Sequence, residues 1–461
     1  MSRLQSNCIL VAITAAITAG CIFLFSGCLV QPVPQQTAPI QTACPDAVEQ
    51  TAPVEDLRTI AQDMAPLAER FSQPMGAEAA YRLKQQFDRR YFAPWTSAEP
   101  LFRVRAVAEG IERLADRTWY GENRLRIEPE RMRQLLDLVD REHMPSIDRP
   151  GIVVKPAFVR VLPTTRPFYE APDDVPFDQL QFAEIKPNEP VRILHASKDG
   201  AWLYVEASYA NGWVDPDAIR LADAALRDRL LKADQLVVVR DFAEVRTEQG
   251  KILPQPKIGT LYPLIGEEHD HWVVEAATGA DDRRAVFTVA RIAKADARRH
   301  PLPFTPEAVA DIGNQLLKTP YGWGEMYRNR DCSATTRDFL LAFGIWLPRN
   351  SSKQINAGPS VPLTGLSAID KETRIREQGI PFRTLLHFPG HIMLYAGLRD
   401  GKPVVLHTIW ALRAKTGNCS EQKYIIGRTV LTTLEAGKEL PLSKGTLLDR
   451  LEGMLVLPVA D

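Results

Sequence analysis

Cysteine is scarce in this chain of 461 residues, which contains only six. Three of them lie in an apolar stretch at the N-terminus, and the other three are Cys44, Cys332 and Cys419. So few cysteines exclude a small scaffold held together by disulfides. One pairing stays open, a disulfide between Cys332 and Cys419. Otherwise these thiols are free and call for another explanation.

An excess of charge is also missing, because 56 Lys and Arg balance 57 Asp and Glu. This balance does not favour a nucleic-acid partner, and none is expected. Long hydrophobic runs occur only at the N-terminus. A chain of this length is too long for one core and predicts about three or four domains. We expect a monomer with no cofactor and no bound metal.

The N-terminus reads as an export signal, "CILVAITAAITAGCIFLFSGC". Its end, "LFSGC", resembles a bacterial lipobox that would place a lipid on Cys28, and "ITAGC" at Cys21 is a competing match. We therefore expect residues 1–28 to be a lipoprotein signal and 29–54 a tether rich in Pro, Gln and Thr. The mature protein would be periplasmic and anchored to a membrane by its lipid. A plain secretory signal and an uncleaved anchor are the alternatives.

The remaining sequence predicts an α+β multidomain protein. Apolar residues recur at three- and four-residue spacing over 55–148, which predicts a helical N-terminal domain. Short alternating segments separated by turn sequences follow over 149–228 and 229–298, and they predict two small β-barrels. The first contains "NGWV" at 211–214 and resembles bacterial SH3 domains, whereas the second rests on pattern alone. Residues 299–461 form the last predicted domain.

Cys332 stands at the start of a predicted helix that runs to Phe343, within "RDCSATTRDFL". A helix N-terminus favours thiolate over thiol, so we expect the pKa of Cys332 to be lowered. A peptidase also needs a group that protonates the leaving amine, which is work for a histidine. Cys332 is therefore the candidate nucleophile.

Two of the eight histidines are candidates for that work, His391 and His407. They lie in "HIMLYAG" and "PVVLHTI", which predict two strands of a hairpin. If Leu398–Lys402 is a five-residue loop, Met393 faces His407, and the two histidines share a face about 7–8 Å apart at Cβ. A tight turn at Asp400-Gly401 would put them on opposite faces. The predicted pairing thus depends on the register.

The combination of "YGWG", "DCS", "GHIMLYAG" and a histidine on the next strand resembles the NlpC/P60 family of papain-like cysteine peptidases. The resemblance implies a papain-like fold for 299–461, with Cys332 as nucleophile, His391 as base and acid, and His407 as the orienting residue. It also implies that Tyr321 lies beside the oxyanion. Together with the SH3-like domains, it points to enzymes that cleave the γ-D-glutamyl–diaminopimelate bond of peptidoglycan stem peptides.

By the same resemblance, Asp331 would pair with the free amino group of the substrate's L-alanine, and Ser333 would help hold the D-glutamate carboxylate. Trp323 and Tyr169 are further candidates for substrate binding. Asp331 could instead serve only as a helix N-cap. The chain departs from the family pattern at Ala334 and Glu325, where glycine is usual, and we expect both changes to affect packing or the shape of the substrate site without altering catalysis.

Other functions remain open from the sequence. Cys332, His391 and His407 have the right side chains for a zinc site, although no two of them are closely spaced. Both histidines could be structural. The chain could also be an inactive wall-binding lipoprotein, or an amidase or acyltransferase on the same fold.

Overall fold

The computed structural model describes residues 50–51, 54–71, 76–280, 283–415 and 422–457. The predicted signal with Cys28, nearly all of the tether, Cys44 and Cys419 lie outside these residues. In the described part the predicted α+β multidomain fold is confirmed: helices come first, two β domains follow, and a mixed C-terminal domain ends the chain. No helix among these residues is long and apolar enough to cross a membrane.

The N-terminal region is built from short helices. Its elements are β1 (Gln50–Thr51), α1 (Glu55–Thr59), α2 (Ala65–Ala68), α3 (Ala77–Tyr91), α4 (Ala93–Thr96), α5 (Val104–Glu112) and α6 (Pro129–Leu138). They pack in two directions. Helices α1 and α2 lie on the C-terminal domain, where Met64 fills the space above Gly313. By contrast, Trp119 and Leu135 join a core with Trp213 of the first β domain.

The first β domain is one antiparallel sheet in the order β4-β3-β7-β6-β5-β2-β8. Its strands are β2 (Arg149–Val153), β3 (Ala157–Arg160), β4 (Gln181–Ile185), β5 (Pro190–Ala196), β6 (Leu203–Glu206), β7 (Asn211–Val214) and β8 (Ile219–Leu221). Gly212 of the "NGWV" segment has φ +155, and a Cβ there would lie 2.5 Å from the carbonyl oxygen of Arg160. Only glycine lets β7 approach β3 this closely.

The second β domain follows a connecting helix, α7 (Ala224–Lys232). It is a sheet in the order β10-β13-β12-β11-β9-β14. The strands are β9 (Gln235–Val238), β10 (Val245–Thr247), β11 (Leu261–Glu267), β12 (His271–Gly279), β13 (Ala285–Ala293) and β14 (Ala297–Arg299).

The C-terminal domain packs helices against a sheet in the order β1-β19-β18-β17-β16-β20-β15. Its helices are α8 (Pro306–Leu316), α9 (Cys332–Ala342), α10 (Ser351–Gln354), α11 (Ala368–Gln378) and α12 (Leu447–Arg450). Its strands are β15 (Ser360–Pro362), β16 (Thr384–Phe388), β17 (His391–Arg399), β18 (Lys402–Ala414), β19 (Gln422–Thr433) and β20 (Gly453–Val456). The short strand β1 pairs in parallel with β19, so the residues at the end of the predicted tether are part of this sheet.

Charged side chains are buried where the two β domains meet the C-terminal domain. The first β domain contributes Glu184 and Lys186, the second Lys257 and the half-buried Asp241, and the C-terminal domain Glu325, Arg330, Arg337, Asp338 and Arg349. Bonds between domains include Lys186 Nζ to Asp338 Oδ1 at 2.9 Å and Lys257 Nζ to Glu184 Oε2 at 2.9 Å. We call this set the junction network. Each charge in it has an opposite charge beside it, as burial requires.

Glu325 is the centre of the junction network. Its carboxylate accepts two hydrogen bonds from Arg337, at 2.7 and 3.1 Å, and lies 3.2 Å from Nε of Arg349. It also accepts a hydrogen bond from the backbone N–H of Glu184 in the first β domain. The sequence led us to expect that this position affects packing or the shape of the substrate site. In the structure Glu325 packs at the domain junction, where Lys257 of the second β domain also lies 3.9 Å from its carboxylate.

We expect Glu325→Gln to lower the free energy of unfolding by about 3 kcal/mol or more, because it leaves buried guanidinium groups without their counter-charge. The matched control is Glu244→Gln, since the Glu244–Arg246 pair is exposed to solvent and should contribute less than about 1 kcal/mol. Thermal or urea unfolding measures both variants. Equal destabilisation would show that the junction network does not stabilise the protein.

Candidate active site

Cys332 is the first residue of α9, as the sequence predicts, and it is free and buried. Asp331 is the N-cap, and its side chain accepts a hydrogen bond from the backbone N–H of Ala334 at 2.9 Å. Helix α9 packs against β17, and the backbone N–H of Ile392 at the start of that strand acts to lower the pKa of the Cys332 thiol. This contact brings the nucleophile helix to the strand that begins with His391.

His391 and His407 meet across β17 and β18. Nε2 of His391 lies 2.9 Å from Nδ1 of His407, a hydrogen-bond distance. The predicted five-residue loop is wrong, because Arg399 pairs with Lys402 and leaves the tight turn Asp400-Gly401.

A bulge reconciles this tight turn with the meeting of the histidines. The register shifts between Tyr395 and Gly397. On the histidine side of this shift, Leu394 lies opposite Leu406. An extra residue in one strand moves the following side chains to the other face. The register near the histidines is therefore the predicted one, although the register at the turn is not.

The second nitrogen of His407 also has a partner. Nε2 of His407 lies 3.0 Å from the hydroxyl oxygen of Thr432 on the neighbouring strand β19. Both His407 and Thr432 are buried. The side chains thus form a line of hydrogen bonds from His391 through His407 to Thr432.

The Cys332 thiol and the imidazoles of His391 and His407 are uncharged at rest. Burial, with the nearby Asp331 carboxylate, raises the pKa of the Cys332 thiol to about 12, more than the backbone N–H groups and Arg349 lower it. The expectation of a lowered pKa is therefore wrong. Burial, together with the neighbouring His407, holds the pKa of His391 well below its usual value, and burial lowers the pKa of His407 to about 3. Cys332 therefore rests as a thiol and His391 as a neutral imidazole.

Asp331 already has a cationic partner in the protein. Its carboxylate accepts hydrogen bonds from Arg349 Nη1 and Nη2 at 3.1 and 2.6 Å, and from the Ser333 hydroxyl at 3.0 Å. The backbone N–H groups of Gly324 and Ala334 donate two more. These five bonds use the acceptor capacity of a carboxylate, which is about four lone pairs. The proposed role as an N-cap is confirmed, and the charge that was expected to attract a substrate ammonium is neutralised by Arg349.

Aromatic side chains from two domains line the region beside Tyr321. Phe177 of the first β domain contacts the rings of Tyr321, Trp323 and Trp410, with centroids 6.4, 5.2 and 6.1 Å away. Trp323 also donates a hydrogen bond to the backbone carbonyl of Asp178, at 2.9 Å. Burial, with the neighbouring Asp331 and Cys332, raises the pKa of Tyr321. The backbone of Tyr321 pairs with that of Arg330, two residues before the nucleophile. The structure thus brings Tyr321 and Trp323 together against Phe177 of the first β domain.

Tyr169 is placed differently from the expectation. It is buried, and its backbone pairs with Tyr120 of the N-terminal region. Phe177, which lies with Tyr169 in the segment between β3 and β4, contacts Tyr321 instead. The sequence analysis missed Phe177. It also missed Trp410, although Trp410 follows His407 by three residues on one strand. Trp410 sits at a second bulge, between Ile409 and Ala411, and no pattern of alternation could have predicted its direction.

Within the described ranges no group of three or more His, Cys, Asp or Glu side chains is arranged to hold a metal ion. Of the four ring nitrogens in the zinc alternative, Nε2 of His391 and both nitrogens of His407 take part in hydrogen bonds instead.

Family models match along most of the chain. Residues 17–143 match the N-terminal stabilising domain of NlpC/P60 proteins, 167–215 an SH3 domain of the SH3b1 type, 224–268 an SH3 domain of the SH3b2 type, and 318–424 the NlpC/P60 family itself. The second SH3 assignment, which rested on pattern alone, is thereby supported. No curated protein matches the chain.

Among solved structures, an NlpC/P60 endopeptidase from Photobacterium damselae subsp. piscicida is 21% identical, with a TM-score of 0.78 over 88% of this chain and 98% of that one. An NlpC/P60 family protein from Bacillus cereus ATCC 10987 is 17% identical, with a TM-score of 0.44 over 67% of this chain and 100% of that one. The first likeness shows a shared fold across nearly the whole molecule. The C-terminal domain thus matches the NlpC/P60 family of cysteine peptidases, and the stabilising domain of NlpC/P60 proteins and two SH3 domains precede it.

Proposed function

We propose that the protein hydrolyses the γ-D-glutamyl–diaminopimelate bond of peptidoglycan stem peptides, with Cys332 as nucleophile. The observation that carries this proposal is that Cys332 begins α9, and that this helix packs against β17 and β18, the strands of the hydrogen-bonded pair His391 and His407. The match to the NlpC/P60 family supports a wall peptide as substrate. The choice of bond rests on the resemblance noted in the sequence.

In the proposed reaction, the sulfur of Cys332 attacks the γ-carbonyl carbon of D-glutamate. The thiol proton passes to His391 as the bond forms, since the raised thiol pKa leaves little thiolate beforehand. His391 then gives this proton to the departing amine of diaminopimelate, which leaves a thioester on Cys332. Water, deprotonated by His391, releases the dipeptide acid and restores the thiol. Tyr321 is the candidate for stabilising the oxyanion.

His407 has a separate role in this proposal. Its Nδ1 faces Nε2 of His391, so it can accept a hydrogen bond from the imidazolium that forms during attack. Because His407 is buried and neutral, it stabilises that cation without competing for the proton. This is the orienting function of the third member of a catalytic triad.

We expect Cys332→Ala to abolish release of L-Ala-γ-D-Glu from L-Ala-γ-D-Glu-diaminopimelate. The variant protein should unfold at the same temperature as the wild type. His391→Ala should lose several orders of magnitude in kcat, and His407→Ala about 10²–10⁴-fold, as for an orienting group. The matched control is His387→Ala, on the adjacent strand β16, which should retain most activity. Mass spectrometry of the products makes the measurement.

Full turnover by Cys332→Ala would overturn the cysteine-peptidase reading. A wild-type protein that binds the peptide but leaves it uncut would favour an inactive wall-binding protein. Cleavage at a different bond, or transfer of the acyl group to an added amine, would favour an amidase or acyltransferase.

We also propose that the accepted peptides have a free N-terminal L-alanine. Since Asp331 is bound by Arg349, the electrostatic reason for this preference is weak, and the stronger one is steric. Phe177 of the first SH3 domain packs on Tyr321 and Trp410 beside the nucleophile, where it can close the cleft to longer chains.

A steric limit predicts that free and N-acetylated tripeptides are cut at similar rates, and that muramyl-linked peptides are cut at least about tenfold more slowly. Phe177→Ala should raise the rate for the muramyl-linked peptide more than for the free one. If acetylation alone lowers kcat/KM by 10²-fold or more and Asp331→Asn removes this difference, an ammonium at Asp331 is the true determinant. Comparing kcat/KM for the three peptides decides between the two.

We further propose that the mature protein is a periplasmic lipoprotein, on the basis of "LFSGC" at Cys28. Cys28→Ser should leave the precursor unprocessed or release a soluble form. Mass spectrometry of the native N-terminus measures this, and an unmodified N-terminus beyond Cys28 would refute lipidation.

A further inference from the structure

We propose that Thr432 is a positioning residue of the active site: its hydroxyl holds His407 in the protonation form that lets His407 accept a hydrogen bond from His391. The inference rests on the proposed catalytic roles of Cys332, His391 and His407. It assigns a role to a fourth side chain, on strand β19, which no sequence motif distinguishes.

The geometry leaves His407 with a defined partner on each ring nitrogen. Nδ1 lies 2.9 Å from Nε2 of His391, and Nε2 lies 3.0 Å from Oγ1 of Thr432. His407 and Thr432 are both fully enclosed, with exposed fractions of 1% and 0%. Water therefore does not readily replace the Thr432 hydroxyl if it is removed.

The position of the protons follows from these contacts. When His391 takes the thiol proton, both of its nitrogens carry hydrogen, and Nε2–H must donate to Nδ1 of His407. His407 then has its own hydrogen on Nε2, and this N–H needs an acceptor. The oxygen of Thr432 is the acceptor that the structure supplies.

A hydroxyl suits this position because it can donate as well as accept. While His391 is neutral, Thr432 can donate to Nε2 of His407 or accept from it. Once the imidazolium forms, only acceptance leaves every hydrogen bond satisfied. A carboxylate in place of Thr432 would satisfy the N–H too, but it would add a buried charge beside a neutral ring, at a large desolvation cost.

The test compares Thr432→Val with Thr432→Ser and with Thr429→Val. Valine matches the shape of threonine but cannot accept a hydrogen bond, so Thr432→Val leaves the N–H of His407 unpaired when the imidazolium forms. We expect kcat to fall by about 10- to 100-fold, with KM nearly unchanged. Serine keeps the hydroxyl and should restore most of kcat.

Thr429→Val is the matched control. Thr429 is a buried threonine on the same strand, and its hydroxyl bonds with Thr319 and Thr408 instead of a histidine. Its loss should destabilise the protein to a similar extent but leave kcat near the wild-type value. Equal losses of kcat in Thr429→Val and Thr432→Val would reduce Thr432 to a structural residue and overturn the inference.

A second readout does not depend on turnover. In ¹⁵N spectra of histidine-labelled protein, the wild type and Thr432→Ser should show His407 with its proton on Nε2 in the presence of a covalent thiol inhibitor that leaves His391 protonated. Thr432→Val should show a different or mixed tautomer. An unchanged His407 tautomer with wild-type kcat would refute the proposal for Thr432, whereas a wild-type protein without any peptidase activity would refute the proposed function instead.

Discussion

The structure depends on one constraint: the charges buried where the peptidase domain meets the two SH3 domains must all be paired at once. A buried ion that loses its partner costs several kcal/mol, so no domain can move away without exposing or stranding charges of the other two. Lys186 and Lys257 reach from the SH3 domains to acidic groups of this junction. The SH3 domains are therefore fixed parts of the peptidase, and Phe177 keeps its place beside the nucleophile for the same reason.

The junction network also reaches the chemistry. Glu325 lies beside Arg349, Arg349 binds Asp331, and Asp331 caps the helix that begins with Cys332. Changes at the domain junction can thus alter the position of the nucleophile through two consecutive ionic contacts and the N-cap hydrogen bond. The same pairing helps a carboxylate to lie next to a thiol, since Arg349 offsets part of the charge that opposes formation of the thiolate.

The sequence predicted the order of the domains, the helix that begins with Cys332 and the meeting of His391 with His407, because each depends on local periodicity or short-range motifs. It did not predict how the histidines meet. The hairpin has a two-residue turn where a five-residue loop was predicted, and a bulge near Ala396 that was not predicted. Each feature shifts the register by one residue, and the two shifts cancel at the histidines. Bulges leave little trace in a hydrophobic pattern, so a correct pairing was reached through an incorrect loop.

The lowered thiol pKa was the clearest wrong expectation, and its cause is instructive. The helix N-terminus does favour the thiolate, but that effect is local, whereas burial depends on everything packed around the sulfur. The partners of Glu325 and Asp331 were missed for a related reason. Glu184, Lys257 and Arg349 are distant from them in the chain or belong to other domains, and a single sequence contains no signal that joins such residues.

The loop before the nucleophile shows how the junction supports the site. Four of its residues have φ between 57 and 65°, a region that residues other than glycine rarely adopt: Gly324, Glu325, Tyr327 and Arg328. Such a conformation costs on the order of 1 kcal/mol or more at each non-glycine residue, and it persists only where surrounding contacts hold it. Here Glu325 is held by Arg337, Arg328 by Glu184, and the carbonyl of Gly324 by Gln181. The result is a backbone that turns the N–H of Gly324 onto Asp331, so contacts with the first SH3 domain help to hold the cap of the nucleophile helix.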